Sequence, residues 1–494
     1  MVYLTGAGPG DTGLVTVKAL ELIKKADCII YDRLAAPELL DYAGEDCEKI
    51  YVGKADSRCI LTQEQINGLL VEKARVYQCV VRLKGGDPYV FGRGGEEGMY
   101  LRSHGTEFTV VPGVSSAVAG AAYAGIPVTH RGLANSFRVI TAHRMQEEEP
   151  DYGTMLDENE TLVFLMGLAR IEQIAEGLVA AGRKPETPAA VISCATTNIQ
   201  RVCTGTLDDI AEKTRTSALV SPAMVVVGNV VPLREQLSFF EERPLWGKRF
   251  LVPKIGTKPS RLAELLRARG AFVKESVVGR ITGIPAKYRR QEIAQVDILL
   301  FTSANGVEYF MKNLFSSGLD VRALHGVKIA VIGNKTAEKL LQYGLRSDLI
   351  PEKQDSTGLV RALKEFIETK VKKNPFQSVS IWYPTAKNAE DDLVDAVLSV
   401  GECGRLNVYE NVACIPDDMD LLEFDGIFFT CASSASRLLA GKTKEELQTL
   451  NSHVTMYSIG HKCSRTLEAL GVNAVEASVS SYEGLCNILL QGQG

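Results

Sequence analysis

A chain of 494 residues with 45% hydrophobic and 23% charged side chains is an ordinary globular composition, but too long for one core, since single cores stop growing near ~250–300 residues. A net charge of −5 with no basic run argues against a nucleic-acid partner, and no apolar stretch reaches the ~18–20 residues that a membrane span needs. Eleven cysteines without a Cys-x-x-Cys pair and six dispersed histidines argue for reduced thiols in a cytoplasm and against a metal centre. Met1 runs at once into Val2-Tyr3-Leu4 and a glycine turn, which leaves no room for a signal peptide.

In chain order the pattern alternates short apolar runs, glycine or polar turns and helical periods, which predicts an α/β fold. The first block, 1–111, opens with a strand at Val2–Thr5, the turn Gly6-Ala7-Gly8-Pro9-Gly10-Asp11 and an amphipathic helix over Leu14–Lys25. A second strand, Cys28–Tyr31, ends in Asp32-Arg33. A third apolar lead at Cys79–Val81 feeds the most informative stretch, Arg82-Leu83-Lys84-Gly85-Gly86-Asp87-Pro88-Tyr89-Val90-Phe91-Gly92-Arg93-Gly94-Gly95-Glu96-Glu97. Glycine lets backbone approach a ligand closely, and arginine clamps carboxylates through a bidentate fork. Such a loop at a strand's end is how an α/β protein builds a binding site. The Gly6–Gly10 turn lacks the sixth glycine of the dinucleotide fingerprint, and Pro9 removes an N–H that a pyrophosphate would use. It better suits an uncharged or cationic adenosyl ligand.

The second block, 112–243, begins at Pro112-Gly113-Val114-Ser115-Ser116 and contains predicted strands at Thr161–Met166, Ala189–Ser193 and Ala223–Val227. Arg243-Pro244-Leu245-Trp246-Gly247 marks a boundary. The third block, 248–494, repeats itself. Pro253 and Pro384, and likewise Gly270 and Gly401, are 131 residues apart. Phe301-Thr302-Ser303-Ala304 matches Phe429-Thr430-Cys431-Ala432, and Ile332-Gly333 matches Ile459-Gly460. Asp355–Leu359 matches Ser480–Leu485. Two similar α/β units facing each other across a cleft are expected.

Gly6–Asp11, Tyr31-Asp32-Arg33-Leu34, Val52-Gly53-Lys54, the Arg82–Glu97 run, Val111-Pro112-Gly113 and Tyr123–Gly132 resemble uroporphyrinogen-III C-methyltransferase over about 1–235. The resemblance implies the class III methyltransferase fold, two α/β domains with S-adenosylmethionine held between them. It also implies a homodimer through this half and two methyl transfers that turn uroporphyrinogen III into precorrin-2. Carried over by motif, Pro9, Gly85, Gly86, Asp87, Val90, Ser115, Ser116, Met166 and Ala195 would line the cofactor site. Val90 replaces a usual isoleucine, and Ser115-Ser116 a frequent threonine-alanine. Asp32 would accept a proton and Lys54 donate one, because a methylated pyrrole carbon must shed a proton to restore conjugation. A helix cap is the alternative for Asp32, and a solvated lysine for Lys54. Arg93 and Arg131 are candidates for the substrate's carboxylate arms, with Glu96 on pyrrole N–H groups; structural ion pairs are the alternative. Met166 could be plain strand core.

Phe301-Thr302-Ser303, Ile332-Gly333-x-x-Thr336, Ser356–Leu359 and Val408-Tyr409-Glu410 resemble uroporphyrinogen-III synthase over 248–494. The resemblance implies a bilobed α/β unit, lobe one about 248–280 plus 412–494 and lobe two about 281–405. It implies closure of hydroxymethylbilane with loss of a hydroxyl, assisted by Tyr409. Thr302, Ser303 and Thr336 would offer hydroxyl and backbone groups to carboxylates; helix capping is the alternative, and for Tyr409 packing is. Together the halves suggest a bifunctional enzyme of the siroheme and cobalamin branch. A methyltransferase carrying a non-catalytic tetrapyrrole-binding domain is the rival, as is a class III methyltransferase acting on protein.

Overall fold

The computed structural model describes residues 1–44, 46–53, 61–142, 150–256, 258–371, 378–389, 392–415 and 419–491. Its strands form three sheets.

The first holds β1 (Val2–Gly6), β2 (Cys28–Tyr31), β3 (Glu48–Tyr51), β4 (Val80–Lys84) and β5 (Phe108–Val111), all parallel, in the order β3-β2-β4-β1-β5. β2 and β4 are buried nearly throughout, as a parallel sheet covered on both faces requires. Alternate residues feed two cores, one around Leu4, Ile30 and Leu70, the other around Ile23, Ile29 and Leu83. The first helix begins later than its periodicity suggested, at Val17 rather than Leu14. Asp11 accepts from Gly13 N and starts a 3-10 turn over Thr12–Leu14, and the Thr16 hydroxyl then caps Ala19 N.

The second sheet comprises β6 (Ser136–Thr141), β7 (Glu160–Leu165), β8 (Pro188–Ser193), β9 (Arg201–Thr206) and β10 (Ala223–Val227), in the order β6-β7-β10-β8-β9. Only β6 and β7 run parallel; the other pairs are antiparallel. The three central strands are those the sequence marked. β6 and β9 are edges, half solvated, and carry no continuous apolar run.

The third sheet has nine strands: β11 (Arg249–Ile255), β12 (Phe272–Gly283), β13 (Ile298–Phe301), β14 (Lys328–Val331), β15 (Ser380–Ala386), β16 (Glu402–Ala413), β17 (Gly426–Phe429), β18 (Thr455–Ser458) and β19 (Ala474–Glu476). Their order, β14-β13-β15-β16-β12-β11-β17-β18-β19, is the internal repeat written in space. β15 mirrors β11, β13 mirrors β17 and β14 mirrors β18 about the central antiparallel pair β12–β16. One sheet therefore runs through both halves of the bilobed unit, bridged by two twelve-residue strands. The repeated prolines have a structural meaning. β11 pairs with β17 only at Phe250 and Leu251, and β15 with β13 only at Ile381 and Trp382. Beyond these pairs come Pro253 and Pro384, which have no N–H to give, and the ladder on that side stops. The turns after β13 and β17 are left facing the open space.

Candidate active sites

Because the first sheet is wholly parallel, the loops after its strands gather at one edge, where open α/β sheets bind ligands. There the backbone is packed beyond what side chains permit. Gly8 and Gly86 exchange hydrogen bonds, N to O at 3.3 Å and 2.7 Å, with both φ angles positive. A Cβ on Gly6 would lie 2.6 Å from both Gly113 Cα and Gly86 O. A Cβ on Gly113 would strike Gly86 O, and the space over Gly86 is open as far as Ser116 N at 3.8 Å. Asp87 ties this together: Oδ2 accepts from Gly113 N at 3.0 Å and Oδ1 from Tyr89 N at 2.8 Å. Ser115 caps the helix Ser116–Tyr123 by accepting from Ala117 N.

Asp32, at the end of β2, is half-buried. Its Oδ1 accepts from Leu34 N and its Oδ2 from Arg82 Nη2, each at 3.1 Å. Arg82 in turn donates Nε to Glu97 Oε1 at 3.1 Å, and Lys84 Nζ donates to the same oxygen at 2.8 Å. Glu97 is fully buried, and its Oε2 has no hydrogen-bond partner among the described residues. Burial lowers the Lys84 ammonium from its ordinary value of 10.5, Arg82 lowers it further, and Glu97 opposes both.

The second sheet closes the crevice. A Cβ on Gly10 would lie 2.8 Å from Thr197 Cγ2 and 3.4 Å from Ala195 O. Asp11 N donates to the Thr196 hydroxyl at 3.1 Å, and Asp11 Oδ2 accepts from the Tyr123 hydroxyl at 2.8 Å. Met166, Cys194 and Thr196 hold positive φ without being glycine, a strain that clusters at ligand sites. Met166 is 51% exposed rather than strand core.

In the third sheet the Ser303 hydroxyl caps the helix Ala304–Ser316 at Gly306 N and lies 3.2 Å from the Tyr409 hydroxyl. Thr302 Oγ1 lies 3.0 Å from the Tyr383 hydroxyl. Tyr409 stacks on Tyr309 at 5.8 Å, and burial pushes its phenol above the ordinary value of 10.0. A cavity of about 410 Å³ opens beside it, lined among others by Ile281, Asn388, Asn411 and Arg437.

Two family descriptions divide the chain: Tetrapyrrole (Corrin/Porphyrin) Methylases matches residues 1–211, and Uroporphyrinogen-III synthase HemD matches 260–487. The Porphyrin biosynthesis protein HemD of Ruminiclostridium josui is 34% identical over 503 residues, covering 99% of this chain and 97% of that protein. The chain belongs to this family of methylase–synthase fusions. A further relative is the Uroporphyrinogen-III C-methyltransferase of Bacillus subtilis (strain 168), 42% identical across 66% of this chain and 68% of its own. A solved structure of uroporphyrin-III C-methyl transferase from Thermus thermophilus, complexed with S-adenyl homocysteine, is 42% identical with a TM-score of 0.41, over 47% of this chain and 99% of that one.

Within the methylase–synthase fusion, Pro9, Gly85, Gly86, Asp87, Ser115, Ser116 and Ala195 fall in one connected region, and Asp32 adjoins it through Leu34, which packs on Gly85. Val90 stays on the same loop, partly exposed. Several of these residues have partners within the chain. Asp87 spends its carboxylate on backbone, holding the crevice's shape. Arg93 and Glu96 bind each other in an exposed ion pair at 2.7 Å, so the two residues expected to meet substrate neutralise one another here. Thr336 is 4% exposed within the helix Asn334–Leu341, and the cavity beside Tyr409 is not lined by it. Arg131 is exposed in a turn closed by the His130–Ala134 bridge. Lys54 lies outside the described residues. Sequence reasoning quoted Gly6, Asp11, Glu97, Gly113 and Tyr123 within its motifs but gave none of them a role in the site; for Glu97 the further signal was two basic residues on the strand leading to it.

Proposed function

We propose that the methylase half transfers methyl groups from S-adenosylmethionine to uroporphyrinogen III, giving precorrin-2, and that the synthase half makes that substrate by closing hydroxymethylbilane. The observation that carries the first half is the close packing of Gly6, Gly86 and Gly113 at the carboxyl edge of a parallel sheet, with open space left over Gly86. No side chain at Gly86 stands between that backbone and a flat adenosyl group. The donor, when bound, supplies an electrophilic sulfonium methyl.

The chain's own residues supply the rest. Asp32 lies beside the Arg82 guanidinium at 3.1 Å, with lone pairs left to take the proton that a methylated pyrrole must lose. Lys54 is proposed as proton donor from the resemblance. In the synthase half, Tyr409 keeps its proton and presents a hydroxyl to a departing hydroxyl group, with Ser303 orienting it at 3.2 Å.

Incubation of the purified chain with hydroxymethylbilane, with and without labelled S-adenosylmethionine, tests both. The expected outcome is the type III isomer without donor and a doubly methylated product with it. Uroporphyrin I alone after oxidation would leave the synthase half as a non-catalytic binding domain. Label on protein instead of pigment would overturn the substrate assignment. Siroheme or cobalamin as the later product, a cytoplasmic location and a homodimer through the methylase half follow from the resemblance. Sedimentation at twice 53.7 kDa would bear out the last.

A further inference from the structure

The ligand proposed for the synthase half carries eight carboxylates, yet among the described residues the cavity beside Tyr409 is lined by one charged residue, Arg437. Its neighbours there are Ile255, Ile281 and the amides Asn305, Asn388 and Asn411. Several arginines elsewhere in the fold are matched to carboxylates, Arg82 to Glu97 and Asp32, Arg93 to Glu96, Arg234 to Glu241 and Arg267 to Glu275, whereas Arg183 is held by the carbonyls of Met155, Asp157 and Glu160. Arg437 has no acidic partner among the described residues. Nη1 donates to Asn411 Oδ1 and Nη2 to Asn411 O, both at 2.7 Å. Neutral acceptors hold the guanidinium in place without cancelling its charge. Gly279 makes the room, since a Cβ there would strike Nη1.

The pseudo-symmetry sharpens the point. Ile281 and Asn411 face each other across the central strand pair. The helix Ala304–Ser316 sends the Tyr309 hydroxyl to Ile281 O at 3.2 Å, and the helix Ala432–Leu438 sends Arg437 to Asn411 O. Tyr309 and Arg437 stand 128 residues apart, the offset that relates Phe301 to Phe429. One position in the repeat is thus aromatic beside Tyr409 in one lobe and cationic in the other. Packing alone gives no reason for a cation in a place its twin fills with a ring.

We propose that Arg437, set by Asn411, is the carboxylate-binding point of this cavity and grips one acidic arm of the linear tetrapyrrole, fixing which pyrrole lies against Tyr409. The inference rests on the synthase reading. A guanidinium–carboxylate contact is among the stronger hydrogen bonds, so its loss is expected to cost at least about tenfold in apparent affinity.

Steady-state ring closure by the full chain tests it, with the proportion of type III isomer read alongside KM. In Arg437→Gln, KM for hydroxymethylbilane should rise about tenfold or more, with a smaller change in kcat and more type I isomer. Arg437→Lys should fall between. Asn411→Asp guards against a merely structural role: it places a carboxylate on Nη1, which a structural arginine tolerates, but which cancels the free charge. KM should rise in this variant with the melting temperature preserved. If wild type closes the ring to type III while Arg437→Gln and Asn411→Asp both keep wild-type KM, the inference falls and the synthase reading stands. If wild type gives no type III isomer, both fall.

Discussion

Asp32 shows how little a single side chain decides alone. Its carboxylate is aimed by Arg82, and Arg82 is held by Glu97, which also binds Lys84. Two cations rest on one fully buried carboxylate, so removing that charge leaves Lys84 uncompensated in the core and Arg82 with Asp32 alone. Glu97→Gln is expected to destabilise the methylase half by about 3–5 kcal/mol, read by urea denaturation, and to lower methyl transfer through a displaced Arg82. A loss under about 1 kcal/mol would show that water reaches the cluster. Tyr409 gives a pH prediction. Its phenol is raised above 10.0 by burial, so it stays protonated through the pH at which a free tyrosine ionises. Ring closure should hold as pH climbs to 10 and fall only above it. In Tyr409→Phe that high-pH limb should disappear along with most of the rate, while methylation of supplied uroporphyrinogen III continues. A limb below pH 10 in wild type would assign the proton to another group.

At the scale of elements, the two sites are made by what the strands do at their ends. In the first sheet five parallel strands deliver five loops to one edge, and glycines let three of those loops interpenetrate. Gly113→Ala should abolish S-adenosylhomocysteine binding, measured calorimetrically, because the added methyl meets Gly86 O, a backbone atom that cannot step aside. Ring closure should be unaffected; its loss would mean that the distortion spreads beyond the methylase half. In the third sheet Pro253 and Pro384 end a ladder on one side, and the cavity lies where the strands part. The strands themselves were legible wherever they are central, since burial on both faces demands continuous apolar runs. β6 and β9 were not, because edge strands answer to solvent on one side. The start of the first helix was misplaced because periodicity sees the apolar face and not the Asp11 and Thr16 side chains that choose the first turn.

For the whole molecule, the two halves meet through specific polar contacts. Lys254 on β11, almost fully buried, meets Asp41 of the first unit at 3.1 Å and Glu275 of its own at 3.4 Å. Asn198 Nδ2 donates to Ala271 O at 3.1 Å. Asp41 is partly exposed and Glu275 remains to compensate Lys254, so Asp41→Ala should cost at most about 1 kcal/mol and leave both activities intact on supplied substrates. Limited proteolysis around the Arg243–Gly247 join should quicken in that variant; unchanged cleavage would show that the contact does not hold the halves together.

The sequence by itself determined the two family resemblances, the α/β class and the repeat. Each of these is written in local chemistry: apolar period, glycine, proline, or a motif continuous in the chain. Tertiary structure alone decided that Asp87 serves the backbone, that Arg93 and Glu96 pair together, that Glu97 lies buried beneath Asp32, and that Arg437 is held by Asn411 with no acidic partner among the described residues. Whether a charge is answered depends on which groups the fold brings within a few ångströms, and those partners come from distant stretches of the chain or from side-chain directions that no spacing rule records.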